Sequence, residues 1–368
     1  MRELKKIIVF ALVVVFMVSM LFIGTSCKEE AAPAEEAVEE AAPAEEVVEE
    51  AVPAEEVVEE EAAEELVIGR MMVFVGDDFQ QTAKQHFLNY CDEIGAEGIV
   101  LDSNFDEETE RKNAEDLISR GVNAIIIQCV NAFSGAEISK SAKAAGIPVV
   151  SSIIIPDTEN YILVTLDEET ANKKAGKKII ELWEELHPDI PPVPAYISIP
   201  WNEWVTEVRT IPFIEGIKSV EPDIEVMEIE LGADQLDTES IMAVFEDTIT
   251  AHPEINVIGG FASFTTLPAL EVLLSIGRGT IETELIASIE GSIEEYKKIM
   301  DPNSAYKFTT GLKPKDLEVT DVEYALKLIN GEIGIDEAVI KKIPCLVLDS
   351  DSDWGPYLKE QWFEDIED

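Results

Sequence analysis

The stretch AEDLISRGVNAIIIQCVNAF at 114–133, followed by AAGIPVVSS at 144–152, decides the fold. It carries two short β-branched runs, NAIIIQC at 123–129 and IPVVSS at 147–152, with helical spacing around them. Short continuous apolar runs alternating with helices are read as strands of a parallel sheet covered on both faces. The alternation extends outward to VIGRMMVFV at 67–75, GIVL at 98–101 and YILVT at 161–165. A second series follows: AYISI at 195–199, IEVMEIEL at 224–231, INVIGGF at 255–261, LIASI at 285–289 and AYKFTT at 305–310. Phe87, Tyr90, Cys91 and Ile94, and later Ile241, Val244, Phe245 and Ile249, show the helical spacing between runs. Two such series predict two α/β lobes with parallel sheets, because about 300 residues exceed what one core usually fills. Ligands of such sheets lie beyond the carboxyl ends of the strands, which makes the cleft between lobes the expected site.

Composition narrows the function. The chain has 76 acidic and 27 basic side chains, a net charge of −49. With no basic stripe to neutralise phosphates, nucleic acid is excluded as an ordinary partner, and so is an anionic membrane surface for the body of the chain. His86, His187 and His252 stand far apart and give no metal-ligand spacing.

Residues 1–27 read as an export signal. Arg2, Lys5 and Lys6 precede an apolar run from Ile7 to Ile23, and Gly24-Thr25-Ser26 leads into Cys27. The segment resembles a bacterial lipobox, with Gly24 where leucine is usual, and Cys27 is the expected lipidation site. Residues 28–65 repeat AAPAEEVVEE, are rich in glutamate and lack aromatic residues. They read as an extended tether rather than a domain.

Signals of catalysis are missing. The sequence has no GxxxxGK[ST], GxSxG or HExxH motif. Cys91, Cys129 and Cys345 sit within apolar patterns and read as buried thiols, with oxidation of one pair left open. Asp349, Asp351, Asp353 and Glu360 have part of a calcium-loop spacing, but Trp354 stands where the turn needs glycine. No metal and no cofactor are expected.

The quoted stretch, together with LDEETANKKAG at 166–176, EVRTIPFIEGI at 207–217, FASFTTLPALEVLLSIGR at 261–278, SIEGS at 288–292 and TTGLKP at 309–314, resembles the type 1 periplasmic binding proteins, in particular their ribose- and sugar-binding branch. The resemblance implies two Rossmann-like lobes joined by three hinge crossings near 165–168, 311–314 and 340–344. The first lobe would take 66–166 plus 313–341, and the second 167–312 plus 342–368.

The same resemblance supplies site candidates. Asp77, Phe79 and Gln80 align with the family's Asn-Pro-Phe-Phe, so that Phe79 would stack on a sugar and Asp77 would accept from hydroxyls. Arg209 aligns with the ligand-binding arginine, and Glu290 replaces an aspartate. Ser263 follows Ala262, which stands where the family has asparagine. Trp201 and Trp204 of the WNEW loop offer stacking surface, and Asn131 ends the third strand. Ile153, Ile154, Ala262 and Leu312 replace polar contacts, so the pocket should be less polar than a ribose site. Arg209→Ala should weaken binding with little loss of stability.

The function implied is a lipid-anchored solute-binding protein on the periplasmic or extracellular face. It would act as a monomer, hold a small sugar or derivative by hinge closure, and deliver it to an ABC permease without chemistry. A ligand-sensing receptor lipoprotein of the same fold is the alternative.

Overall fold

The computed structural model describes residues 66–366. The signal segment, Cys27 and the tether lie outside them. All ten runs read as strands are strands. The first sheet holds β1 Val67–Met72, β2 Glu97–Asp102, β3 Ala124–Ile127, β4 Val149–Ser152 and β5 Ile162–Asp167. The second holds β6 Pro194–Ser198, β7 Met227–Glu230, β8 Val257–Gly260, β9 Leu285–Glu290 and β10 Tyr306–Gly311. Two further strands were not foreseen: β11 Val339–Pro344 and β12 Leu346–Leu348.

The sheets repeat one topology. Their orders are β11-β5-β4-β3-β1-β2 and β12-β10-β9-β8-β6-β7. Every pairing within them is parallel except β10 with β12. The order reverses between β1 and β3 and between β6 and β8, the switch points at which such folds open a crevice.

β1 stops at Met72, short of the expected 75, where the chain turns toward a helix N-terminus. Asp77 caps that helix, α1 (Asp78–Glu93), by accepting from the Gln80 N–H. The helices α2 (Glu107–Arg120), α3 (Ala132–Ala144) and α4 (Glu168–Leu186) follow. Next come α5 (Glu203–Val205), a π-helical turn at Thr206–Thr210, and α6 (Ile211–Val220). Gly176 and Gly216 let α4 and α6 touch backbone to backbone. A Cβ at Gly176 would lie 2.0 Å from the Phe213 carbonyl oxygen, and one at Gly216 2.1 Å from that of Lys173.

The remaining helices are α7 (Thr238–Ala251), α8 (Ser263–Ser275), α9 (Ile293–Ile299), α10 (Pro314–Ile329) and α11 (Trp354–Trp362). A buried polar clamp fastens α10 to the first sheet. Arg70, inside β1, makes a bidentate contact to Glu318 at 2.9 and 2.7 Å, and Ser152 donates to Asp321 at 2.6 Å. With both Arg70 and Glu318 fully enclosed, the pair fixes which sheet α10 returns to.

Residues 342–344 depart from the expected assignment to the second lobe, because β11 pairs with β5 of the first sheet through Pro344. β12 pairs with β10 of the second sheet, and α11 touches elements of both lobes. Cys345 alone separates β11 from β12, so the third crossing is a single residue. The three described cysteines are free thiols: Cys91 and Cys129 are buried, and Cys345 is half-buried. Burial pushes the thiols of Cys91 and Cys129 up to about 12. Among the described residues no cluster of potential ligands could hold a metal. Asp349 instead pairs with Lys178 and accepts from Ser352.

Candidate functional site

The site is assembled from loops at the carboxyl ends of strands in both lobes. Arg209 sits in the π-helical turn, a local widening of the helix that is frequent at functional positions. Its Nε donates to Glu168 Oε2 at 2.7 Å, and its Nη1 donates to the Phe261 carbonyl at 2.8 Å. The guanidinium also lies 5.3 Å from the ring centre of Trp204. Glu168 is 1% exposed and is the first residue after the β5 crossing, so the arginine is anchored at the hinge. Burial works against the charge on Arg209, and Glu168, with Glu290 and Tyr196, more than offsets it, leaving its pKa raised.

Glu290 closes β9 with φ 142°, a conformation costly for any residue but glycine. Ser263, at the start of α8, donates to its carboxylate. Burial raises the pKa of Glu290 well above the ordinary range, and the negative charges of Glu295 and Asp77 add to the shift; Ser263 and Arg209 oppose it. Asp77 is likewise raised by burial, with the Gln80 N–H and Arg209 opposing. Asp77 of the first lobe therefore shares one electrostatic environment with Arg209 and Glu290 of the second. The site opposes two carboxyl groups that retain protons unusually well to one fixed cation.

Apolar residues follow the carboxyl ends of the neighbouring strands. Phe79 is buried and meets Trp362 edge-on at 6.4 Å. Ile153, Ala262 and Leu312 are buried, and Ile154 is half-buried. Ile153 holds φ 68°, strained for a β-branched residue. Gln80 Oε1 is enclosed without a hydrogen-bond partner among the described residues.

A sequence profile described as "Periplasmic binding protein domain" matches residues 68–333. The chain belongs to that family. Its members bind solutes rather than transform them, and this chain is a binding protein, not an enzyme. It is 26% identical over 121 residues to the D-xylose-binding periplasmic protein of Escherichia coli; the match spans 33% of this chain and 37% of that relative. Among solved structures, it resembles an ABC transporter periplasmic solute-binding protein of Actinobacillus succinogenes with bound D-allose. The TM-score is 0.66 at 19% identity, covering 78% of this chain and 98% of the other. The periplasmic component of the arabinose ABC transporter of a Shewanella species, bound to L-arabinofuranose, gives a TM-score of 0.66 at 18% identity. That comparison covers 80% and 95% of the two chains. These likenesses fix the fold as that of the type 1 periplasmic binding proteins.

Some sequence candidates stand apart from the polar cluster. Asn131 spends its side chain locally, accepting from the Ser134 N–H in a capping box and donating to Glu107 at 2.8 Å. Trp201 is half-exposed and donates its indole N–H to the Leu231 carbonyl at 2.9 Å. Trp204, by contrast, lies over Arg209.

Other residues were not foreseen. Glu168 has no signal separating it from exposed Glu169 beside it. Gln128, whose buried Oε1 lacks a partner among the described residues, did carry one: a polar side chain directly ending an AIII strand. The largest omission is α11, whose Tyr357 hydroxyl reaches the backbone of Glu290.

Proposed function

We propose that this binding protein holds a small sugar or sugar derivative between its lobes and presents it to an ABC permease, carried at the membrane by a lipid on Cys27. The observation that carries the reading is that Asp77, at the carboxyl end of a first-lobe strand, and Arg209 and Glu290 of the second lobe feel one another's charge. Only a ligand placed between them engages both halves, and that is the requirement for hinge closure.

The chemistry suits a polyol with an apolar side. Glu168 and Phe261 occupy two of the five guanidinium donors of Arg209, so others are left for adjacent ligand oxygens. Burial favours the protonated form of Glu290, and in that form the carboxyl donates as well as accepts. Phe79 offers a ring, while Ile153, Ala262 and Leu312 offer no hydrogen bonds, which favours a deoxy position or substituent on that side.

Sugars named with the related proteins set the first test. Calorimetric titration of D-xylose, D-allose and L-arabinose, extended to deoxy and substituted analogues, should give saturable binding to one class. Tight binding of unmodified ribose would contradict the polarity argument, and no binding across the panel would overturn the sugar reading.

A further inference from the structure

The matched family stretch ends at residue 333, and α11 lies beyond it. Toward the second lobe, the Tyr357 hydroxyl lies 2.6 Å from the Leu312 carbonyl and 3.0 Å from that of Glu290. It shares its one proton between them and accepts from the Trp362 indole at 3.0 Å. Gly291, at φ 85°, is glycine for a steric reason too: a Cβ there would lie 2.3 Å from that hydroxyl. Trp354 at the other end of α11 faces Tyr296, ring centres 5.3 Å apart.

Toward the first lobe the same helix is tied as firmly. Gln361 accepts from the backbone N–H groups of Lys315 and Asp316 at 3.1 and 3.3 Å, and donates to Asp316 Oδ1 at 2.9 Å. It thereby satisfies donors that α10 leaves open at its start. The Gln361 carbonyl sits 2.9 Å from His86 Nε2, and Phe363 stacks on the His86 ring at 4.0 Å. Trp362 meets Phe79 edge-on.

We infer that α11 is a non-covalent strap across the hinge, and that Tyr357 and Trp362 are positioning residues holding the Phe79 ring and the Glu290 backbone at their working separation. The inference rests on the reading of the cleft as the ligand site. The crossings alone permit rotation of one lobe against the other. A helix hydrogen-bonded to both sides must break or slide one set of contacts when they rotate, so it biases the unliganded chain toward the arrangement that holds the site together. The tie at Glu290 is the one to cut, because it is a single hydroxyl.

Tyr357→Phe removes that hydroxyl, and Trp354→Phe is the control: it keeps a ring edge-on to Tyr357, 5.9 Å away, but loses the indole donor to the Asp349 carbonyl at the far end of the same helix. Both are made in the full chain. Hydrogen exchange without ligand should rise in Tyr357→Phe over residues 77–90 and 288–312 alike, in both lobes, and in Trp354→Phe only near 293–299 and 346–354. A rise confined to the second lobe in Tyr357→Phe would overturn the strap. In the second arm, D-xylose, D-allose and L-arabinose are titrated into all three proteins. Whichever the wild type binds should bind Tyr357→Phe about five- to tenfold more weakly, the loss of roughly one buried hydrogen bond, and Trp354→Phe within twofold. Equal affinity for wild type and Tyr357→Phe would overturn the positioning role. Failure of every sugar on the wild type would overturn the sugar reading, and the exchange arm would still decide the strap.

Discussion

Replacing Arg209 tests the site most directly, and the structure changes what that replacement should do. The sequence treats Arg209 as a binding residue removable at little structural cost. In the structure its partner Glu168 is enclosed, and the guanidinium itself is 13% exposed. Arg209→Ala leaves a carboxylate in the hinge with no cation, the Phe261 carbonyl without its donor, and Trp204 without the charge over its ring. Breaking a buried pair from one side costs about 3–5 kcal/mol. The partial exposure of Arg209 argues for the lower end, about 3 kcal/mol, or a fall of roughly 5 °C in melting temperature for a body of this size. Urea denaturation with an unchanged slope measures it. The double variant Arg209→Met with Glu168→Leu removes both charges at similar volume and should recover to within about 1 kcal/mol of the wild type. That double variant should still fail to bind any sugar the wild type holds, separating binding from stability. A loss below about 1 kcal/mol in Arg209→Ala would show that Glu168 does not depend on the pair, and the anchored-cation argument would fall.

Other perturbations probe neighbouring parts. Gly176→Ala forces a methyl group into the Phe213 carbonyl, and since backbone cannot give way cheaply it should destabilise by about 2 kcal/mol or more; a neutral outcome in thermal melting would show that α4 and α6 separate easily. The folded pKa of Glu290 is raised, so its contribution to stability is complete below the unfolded carboxyl range and is lost as pH rises through the folded value. Glu290→Gln, which cannot ionise, should flatten that decline above the ordinary carboxyl range, and an unchanged pH profile would refute the assignment. Chains starting at 28 and at 66 should melt within a few degrees of each other, because the Glu-rich tether can bury little. Mass spectrometry should find a diacylglyceryl group on Cys27, and a Cys27→Ser chain that stays membrane-bound would contradict the anchor.

The fold was legible because parallel sheets covered on both faces leave a dense signal. Runs such as Ala124–Ile127 are apolar at every position, and the helical spacing between runs is regular. β11 escaped because it is an edge strand: its VIKKIP sequence places two lysines in solvent, so no apolar run marks it. α11 escaped because its buried face comprises Trp354, Tyr357, Leu358, Gln361 and Trp362 within an acidic terminus whose composition suggested surface. The lone calcium-like spacing there dissolves for a physical reason: Trp354, in the place of the turn glycine, donates its indole to the Asp349 carbonyl at 2.7 Å and starts a helix.

The site divided along a different line. Residues that a motif marks, such as Asp77, Arg209 and Glu290, could be named from the sequence, but their partners could not, since Glu168 reaches Arg209 only through the fold. Backbone strain was the least legible feature, because neither isoleucine nor glutamate marks a positive φ in a sequence, whereas the topology pairs the two sites. β4 and β9 occupy the same position in their two sheets, and each has a non-glycine residue at positive φ at its carboxyl end, Ile153 just after β4 and Glu290 as the last residue of β9. In the first lobe the strained residue is held by its N–H on the Val164 carbonyl and its carbonyl on Thr165 Oγ1; in the second, Glu290 is held by Leu312 and Tyr357 on its carbonyl. Strain of this kind, of order 1–3 kcal/mol each, persists only where surrounding structure imposes it. Matching strain at matching strand ends means that both lobes spend packing energy to aim one residue at the cleft, and aiming from both sides is what a ligand clasped between lobes requires.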